Sequence, residues 1–99
     1  MLRITYGKGF HLAFSNGVTV SVQFGPGNYC DNYNMPLRYD NNYKILESED
    51  AEVAAWHKNE KLITKEILPN GLLSSINDEV GEGLTADEVF EFIRKAKEY

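Results

Sequence analysis

The sequence predicts an α+β domain: a small antiparallel β-sheet of four or five strands, with an N-terminal hairpin, packed against one C-terminal α-helix. Two observations carry this prediction. Segments of alternating apolar and polar residues flank Asn16-Gly17, and a helix-capping sequence at Thr85 precedes an amphipathic segment. At 99 residues the chain has the size of one ordinary domain, so we expect residues 1–99 to form a single domain.

The first quarter of the chain has the pattern of β-strands. Residues 2–6 alternate apolar and polar side chains, and residues 10–14 repeat the alternation. Asn16-Gly17 comes next and supplies the positive φ angles that a type I′ turn requires. Residues 18–24 then alternate again, with valine at positions 18, 20 and 22. Alternation on both sides of Asn-Gly predicts a β-hairpin.

A long loop is expected after this hairpin, over residues 25–46. Gly25-Pro26-Gly27 interrupts the strand pattern. Asparagine and tyrosine dominate the segment that follows: Asn28, Tyr29, Asn32, Tyr33, Asn34, Tyr39, Asn41, Asn42 and Tyr43. Asparagine favours turns because its side chain bonds the local backbone. Loops of this length are unusual in a small domain and tend to be functional or mobile.

Shorter elements are expected between this loop and the C-terminal helix. Residues 51–56 suit a strand that ends in the lone tryptophan, and residues 61–67 suit a further strand. Polar turns over 57–60 and 68–71 separate these segments. Residues 72–82 fit two alternatives, a short helix or a final strand, and the pattern leaves both open.

The C-terminal helix is predicted by its first turn, its apolar face and its charges. Thr85-Ala86-Asp87-Glu88 matches a capping box. Val89, Phe92, Ile93 and Ala96 then recur at helical spacing and form one apolar face. Acidic residues concentrate near the start and basic residues near the end, which suits the helix dipole. A helix this short is marginal alone in water, so we expect a sheet to cover its apolar face.

Composition excludes several classes of protein. No apolar run approaches the roughly twenty residues that a membrane-spanning helix needs. The N-terminus alternates and lacks the apolar core of a secretory signal. Cys30 is the only cysteine and has no internal partner for a disulfide. We therefore expect a cytoplasmic protein that does not associate with membranes.

The charge is acidic and unevenly distributed. The net charge of −5 argues against a nucleic-acid binder. Residues 1–46 hold four basic and two acidic residues, whereas residues 47–99 hold six basic and thirteen acidic ones. The simpler interpretation is a solvated acidic surface. The alternative is an acidic face that meets a basic protein partner.

The sequence lacks the usual catalytic motifs. It contains no Walker loop, dinucleotide fingerprint, zinc-protease motif or nucleophile elbow, so we predict no enzymatic activity and no cofactor. Cys30, His11 and His57 are the only candidate nucleophile and bases. They lack the paired spacing of metal ligands, so no metal site is predicted. The simpler interpretation makes Cys30 a half-buried thiol, His11 a sheet-face side chain and His57 a turn residue.

The loop is the candidate binding surface. Its predicted ligand- or partner-binding residues are Asn28, Tyr29, Asn32, Tyr33, Arg38 and Tyr39. Tyrosine gives rigid contact area and asparagine gives adaptable hydrogen bonds, as in protein-recognition loops. The same residues suit a nucleotide, because tyrosine stacks on bases, asparagine reads adenine and arginine meets phosphate. In a third interpretation, asparagines build turns while tyrosines pack over the end of the sheet.

Three sequence blocks carry a resemblance to a protein family. Residues 14–30 read F-S-N-G-V-T-V-S-V-Q-F-G-P-G-N-Y-C, residues 50–56 read D-A-E-V-A-A-W, and residues 84–93 read L-T-A-D-E-V-F-E-F-I. In this order they resemble a group of uncharacterised small proteins that bacteriophages and prophages encode, with an F-x-N-G-x-x-(V/I)-S-V-Q-(F/W)-G-x-x-N-Y-C block. Between Trp56 and Leu84 the chain departs from that pattern, being longer and richer in lysine and leucine.

The resemblance implies a phage-borne protein that acts in the bacterial cytoplasm. With no catalytic motif present, we expect a non-enzymatic protein that binds a host bacterial protein, such as a defence factor, and antagonises it. The alternative is a sponge that sequesters a nucleotide second messenger, for which a homo-oligomer is expected. A more remote alternative is a thiol-dependent enzyme built on Cys30.

Overall fold

The structure is a computed structural model that describes residues 1–5, 8–34, 47–59 and 61–99. In chain order its elements are β1 (Leu2–Ile4), β2 (Gly9–Ala13), β3 (Val18–Gln23), β4 (Ala51–His57), α1 (Thr64–Ile67), a 3-10 turn (Asn70–Leu72), β5 (Gly81–Leu84) and α2 (Ala86–Lys97). The strands form one antiparallel sheet in the order β1-β2-β3-β4-β5, and α2 packs against β3, β4 and β5. The predicted α+β class is confirmed.

The predicted hairpin is formed by β2 and β3. Gly17 adopts a φ of +88°, which its lack of a Cβ permits. The predicted type I′ turn is wrong: the Gly17 amide donates to the Phe14 carbonyl at 3.1 Å and the Phe14 amide donates to the Val18 carbonyl at 2.9 Å, so residues 15–17 form a three-residue loop. Asn16 bonds in two directions: its Oδ1 accepts from the Val18 amide at 3.0 Å, and its Nδ2 donates to the carbonyls of Ala96 and Lys97 at 3.0 and 3.1 Å. The turn therefore also satisfies carbonyls at the end of α2, and it fixes the hairpin to the helix.

The hydrophobic core lies between the sheet and α2. Side chains alternate along β3 and β4, so that one face of each strand is buried. The buried apolar residues are Val18, Val20, Val22, Ala51, Val53, Ala55, Ile63, Leu68, Leu84, Phe92 and Ala96. Fully burying a side chain as large as Phe92 stabilises the fold by roughly 1.5–3 kcal/mol. This core holds the sheet and the helix in one fixed arrangement.

Helix α2 begins with the predicted capping box. The Glu88 amide donates to Thr85 Oγ1 at 3.3 Å, and the Thr85 amide donates to Glu88 Oε1 at 3.0 Å. Phe92 and Ala96 are buried against the sheet, as the apolar face predicts. Across the described ranges, neither helix has the length and apolar character needed to cross a membrane.

The predicted strand over residues 61–67 is wrong. Leu62 forms one isolated antiparallel bridge to β4, and Thr64–Ile67 then make a single helical turn. Thr64 ends the pairing because its hydroxyl, instead of a backbone carbonyl, accepts from the Ala55 amide at 3.0 Å. A tertiary contact thus overrides the strand-like composition of this segment.

Residues 72–82 follow the strand alternative only at their end. β5 begins at Gly81, after irregular chain, and the helix alternative is wrong because Ile76 is exposed instead of facing the core. Ser74 is buried, and its hydroxyl accepts from the amides of Ile76 and Asn77 at 3.2 and 3.3 Å. This local turn takes the chain into β5.

Candidate functional site

The loop that follows β3 is fixed to the sheet at the start of β4 and the end of β5. The Tyr29 amide donates to Glu52 Oε2 at 2.9 Å, and the Gly83 amide donates to the Tyr29 carbonyl at 3.2 Å. The Asp31 amide donates to Asp50 Oδ1 at 2.7 Å. Two carboxylates and one strand amide therefore hold residues 29–31 in place.

Asn28 and Asn32, two of the predicted contact residues, bond the backbone of the loop and of the residues that flank it. Asn28 Oδ1 accepts from the Gly25 amide at 3.0 Å. Asn32 is buried, and its Nδ2 donates to the carbonyls of Phe24 and Glu47 at 2.6 and 2.9 Å. Because both protons of the Asn32 amide group are used, this side chain shapes the loop and has no donor left for a ligand.

Tyr29 and Tyr33 form a stacked pair. Their ring centroids lie 5.8 Å apart with an angle of 24° between the ring planes. This spacing falls within the range of favourable aromatic pairs. Tyr33 is 49% exposed, whereas Tyr29 is half-buried. Tyr29 thus supports the ring of Tyr33, whose outer surface is open to solvent.

The tyrosine pair borders an open groove, which we call the tyrosine groove. Its volume is about 650 Å³, and it is lined by Tyr29, Cys30, Asp31, Tyr33, Asp50, Ile76, Glu82 and Gly83. Three of these side chains are carboxylates, and among the described residues that line it there is no lysine or arginine. Asp31 also lines a neighbouring depression with Glu47 and Glu49. The surface around the tyrosines is consequently anionic.

Cys30 lies in the groove but lacks the environment of a nucleophile. Burial raises the pKa of its thiol, and the charges of Asp50 and Asp31 raise it further, against hydrogen bonds from Asn32 and Ser48 that lower it. A reactive thiol needs the opposite shift, towards a lower pKa. None of the groups that act on Cys30 is a histidine. The described residues contain no cluster of three or more His, Cys, Asp or Glu that could hold a metal ion.

The two histidines lie on or beside the sheet. His11 lies on the sheet face opposite α2, next to Arg3 of β1, as expected for a sheet-face side chain. Its ring meets Trp56 edge to face, with centroids 5.3 Å apart and planes at 83°. Burial, with a smaller effect from Arg3, lowers the His11 pKa and so favours the neutral ring. His57 is the last residue of β4 instead of a turn residue.

Sequence reasoning singled out the tyrosines as candidates but did not single out the acidic residues around them. Asp50, Glu52 and Glu82 are distant in sequence from Tyr29 and Tyr33, and only the general acidity of the second half indicated them. Arg38 and Tyr39, also predicted as contact residues, lie outside the described residues. In comparisons with known proteins, no family model, no curated protein and no solved structure matches this chain.

Proposed function

We propose that this protein is a non-enzymatic, phage- or prophage-encoded protein that binds a host bacterial protein, a defence factor, in the cytoplasm and antagonises it. The origin and the setting rest on the sequence resemblance. The binding role rests on one structural observation, the stacked and partly exposed tyrosine pair beside an anionic groove. No catalytic constellation accompanies this groove among the described residues.

The tyrosine groove suits a basic protein segment. An arginine or lysine of the partner can lie over the exposed ring of Tyr33, a contact worth about 0.5–1 kcal/mol at exposed sites. Asp31, Asp50 and Glu82 surround that position with negative charge. Complementary charge of this kind speeds association and selects against acidic partners. Tyrosine is also among the residues that contribute most at the centres of protein interfaces.

The nucleotide sponge remains the second candidate, because a stacked tyrosine also accepts a base. Two observations favour the protein partner. Phosphates would meet the carboxylates of Asp31, Asp50 and Glu82, and like charges repel. The Asn32 amide, which a base reader would need, donates to Phe24 and Glu47 instead.

Affinity purification from bacteria that carry defence systems tests the proposal. Tagged wild-type protein should recover one dominant host protein, and its expression should lower the resistance of that strain to phage. Tyr33→Ala should lose both effects. Tyr99→Ala is the matched control, because Tyr99 is likewise 49% exposed but lies beyond the end of α2. Unchanged phage resistance with no enriched partner would contradict the proposal.

Thermal shift with cyclic and linear nucleotides separates the two candidates. A nucleotide at a hundredfold excess over its dissociation constant stabilises the folded state by about 2.7 kcal/mol. The protein-binding proposal predicts no such stabilisation with any nucleotide. A shift that Tyr33→Ala abolishes would instead establish the sponge.

A further inference from the structure

Strand β1 leaves one edge of the sheet open. It pairs with β2 in the register Leu2 to Leu12, Arg3 to His11 and Ile4 to Phe10, and it is the outermost strand. Met1 and Ala13 exchange both backbone bonds at 2.9 Å, and the Thr5 amide donates to the Gly9 carbonyl at 3.0 Å. Backbone bonding alternates along an antiparallel pair, so Arg3 also bonds inward.

The outer edge consequently displays the N–H and C=O groups of Leu2 and Ile4. No strand within the described ranges pairs with that edge. Long or apolar open edges are unusual in native proteins because they invite pairing with another chain. Here the side chains add to the exposure: Leu2 is 80% and Ile4 is 81% exposed.

Phe90 of α2 is a further exposed apolar side chain. Ala86 and Val89 lie with Phe10 around one cavity, which places that side of the helix towards β2. Phe90 follows Ala86 by one helical turn and therefore lies on the same side. It is 67% exposed. Leu2 and Ile4 thus form a second surface, the β1 surface, on the face of the sheet that α2 covers.

We infer that the β1 surface binds an extended segment of a partner protein, which adds to β1 as a sixth strand. In this partner segment, the residues opposite Leu2 and Ile4 are apolar, and the residue between them, opposite Arg3, is acidic. Main-chain hydrogen bonds and alternate side chains are the two components of such strand addition. The inference does not depend on the tyrosine groove, which lies at the β4–β5 side of the sheet.

The charge of Arg3 argues against a second copy as the occupant. Two copies paired antiparallel through Leu2 and Ile4 place Arg3 directly opposite its own equivalent. Like charges in that position destabilise a strand pair. Both copies also carry a net charge of −5. A carboxylate opposite Arg3 instead forms a favourable cross-strand pair on the outer face.

Two short peptides test this inference on the full-length protein. The probe is the blocked pentapeptide Thr-Val-Glu-Val-Thr, and its matched control is Thr-Val-Lys-Val-Thr. In NMR titrations at millimolar peptide, the probe should shift the amide signals of Leu2 and Ile4 and slow their hydrogen exchange. It should bind roughly two- to fivefold more tightly than the control.

The charge-reversed variant Arg3→Glu should invert that preference, so that the lysine peptide binds better. A merely structural role of Arg3 would not produce this inversion.

Ile4→Pro should weaken the binding of both peptides, because it removes an outward N–H without touching the β1–β2 bonds. If neither peptide shifts the amide signals of Leu2 and Ile4, the inference is overturned. A concentration-dependent dimer of the protein alone that Ile4→Pro dissociates would also overturn it, since it would identify a second copy as the occupant.

Discussion

The two sides of the sheet present opposite chemistry. At the β4–β5 side, Glu52, Asp50 and Gly83 hold the backbone of residues 29–31, and the exposed groups are rings and carboxylates. At the β1 side, backbone groups are open and the exposed groups are apolar, with Leu2 and Ile4 foremost. One side therefore exposes charged and aromatic groups, and the other exposes unpaired backbone groups and apolar side chains.

This difference predicts two kinds of contact for one small domain. Charge at the tyrosine groove acts over about 8–10 Å at physiological salt and weakens as salt rises. Apolar burial at the β1 surface acts only on contact and is nearly independent of salt. The shared core of β3, β4 and α2 holds both surfaces, so a variant must spare that core to affect one of them alone.

The largest effect is expected from a change in that core, which removes both surfaces together. Phe92→Ala empties a fully buried site and should lower the free energy of unfolding by roughly 3–5 kcal/mol. Phe90→Ala is the control on the same helix, and as a surface change it should cost less than about 0.5 kcal/mol. Urea denaturation measures both. Equal costs would mean that α2 packs with a different face.

The next largest effect is expected from a substitution that disrupts the tyrosine groove and leaves β1 unchanged. Asn32→Ala leaves the carbonyls of Phe24 and Glu47 without their donor and should cost about 1–3 kcal/mol. Asn34→Ala, an exposed residue of the same loop, should be close to neutral. Urea denaturation gives the free energies, and NMR spectra should place the Asn32→Ala shifts in the loop and not in β1. Shifts spread evenly over both sides would show that the two surfaces are coupled.

A smaller effect should come from the contact between the two tyrosines. In a double-mutant cycle with Tyr29→Ala and Tyr33→Ala, the stacked rings should give a coupling free energy of about 0.5–1.5 kcal/mol. Half-buried Tyr29 should contribute more to stability than exposed Tyr33. Zero coupling in urea titrations would mean that the rings do not stack in solution.

The elements that sequence alone predicted are those with local causes. Asn16-Gly17 specifies the hairpin through its backbone preferences, and Thr85 with Glu88 specifies the start of α2. The strand prediction for residues 61–67 was wrong because the structure of this segment depends on another strand. The Thr64 hydroxyl accepts a hydrogen bond from the Ala55 amide of β4. Local pattern carries no information about such a bond.

The candidate site divides in the same way. Tyr29 and Tyr33 were identified because both belong to one loop with an unusual composition. The carboxylates of Asp50 and Glu82 join them only through the order of strands in the sheet. Likewise, the double role of Asn16 in its own turn and at the end of α2 needed the packed structure.

The smallest effect concerns Cys30, whose pKa is raised first by burial and then by the charges of Asp50 and Asp31. Because its pKa is raised, the thiol should react with iodoacetamide more slowly than free cysteine at pH 7–8.5, and faster as pH rises. Asp50→Asn removes a nearby negative charge and should speed the reaction, as should added salt.

The raised pKa also means that the folded state holds this proton more tightly than the unfolded chain. The contribution of the thiol to stability is therefore complete below the ordinary thiol range and declines as pH rises through it, a slope that Cys30→Ser should remove. A reaction rate of the native protein above that of free cysteine would contradict the raised Cys30 pKa and would support a thiol-dependent enzyme.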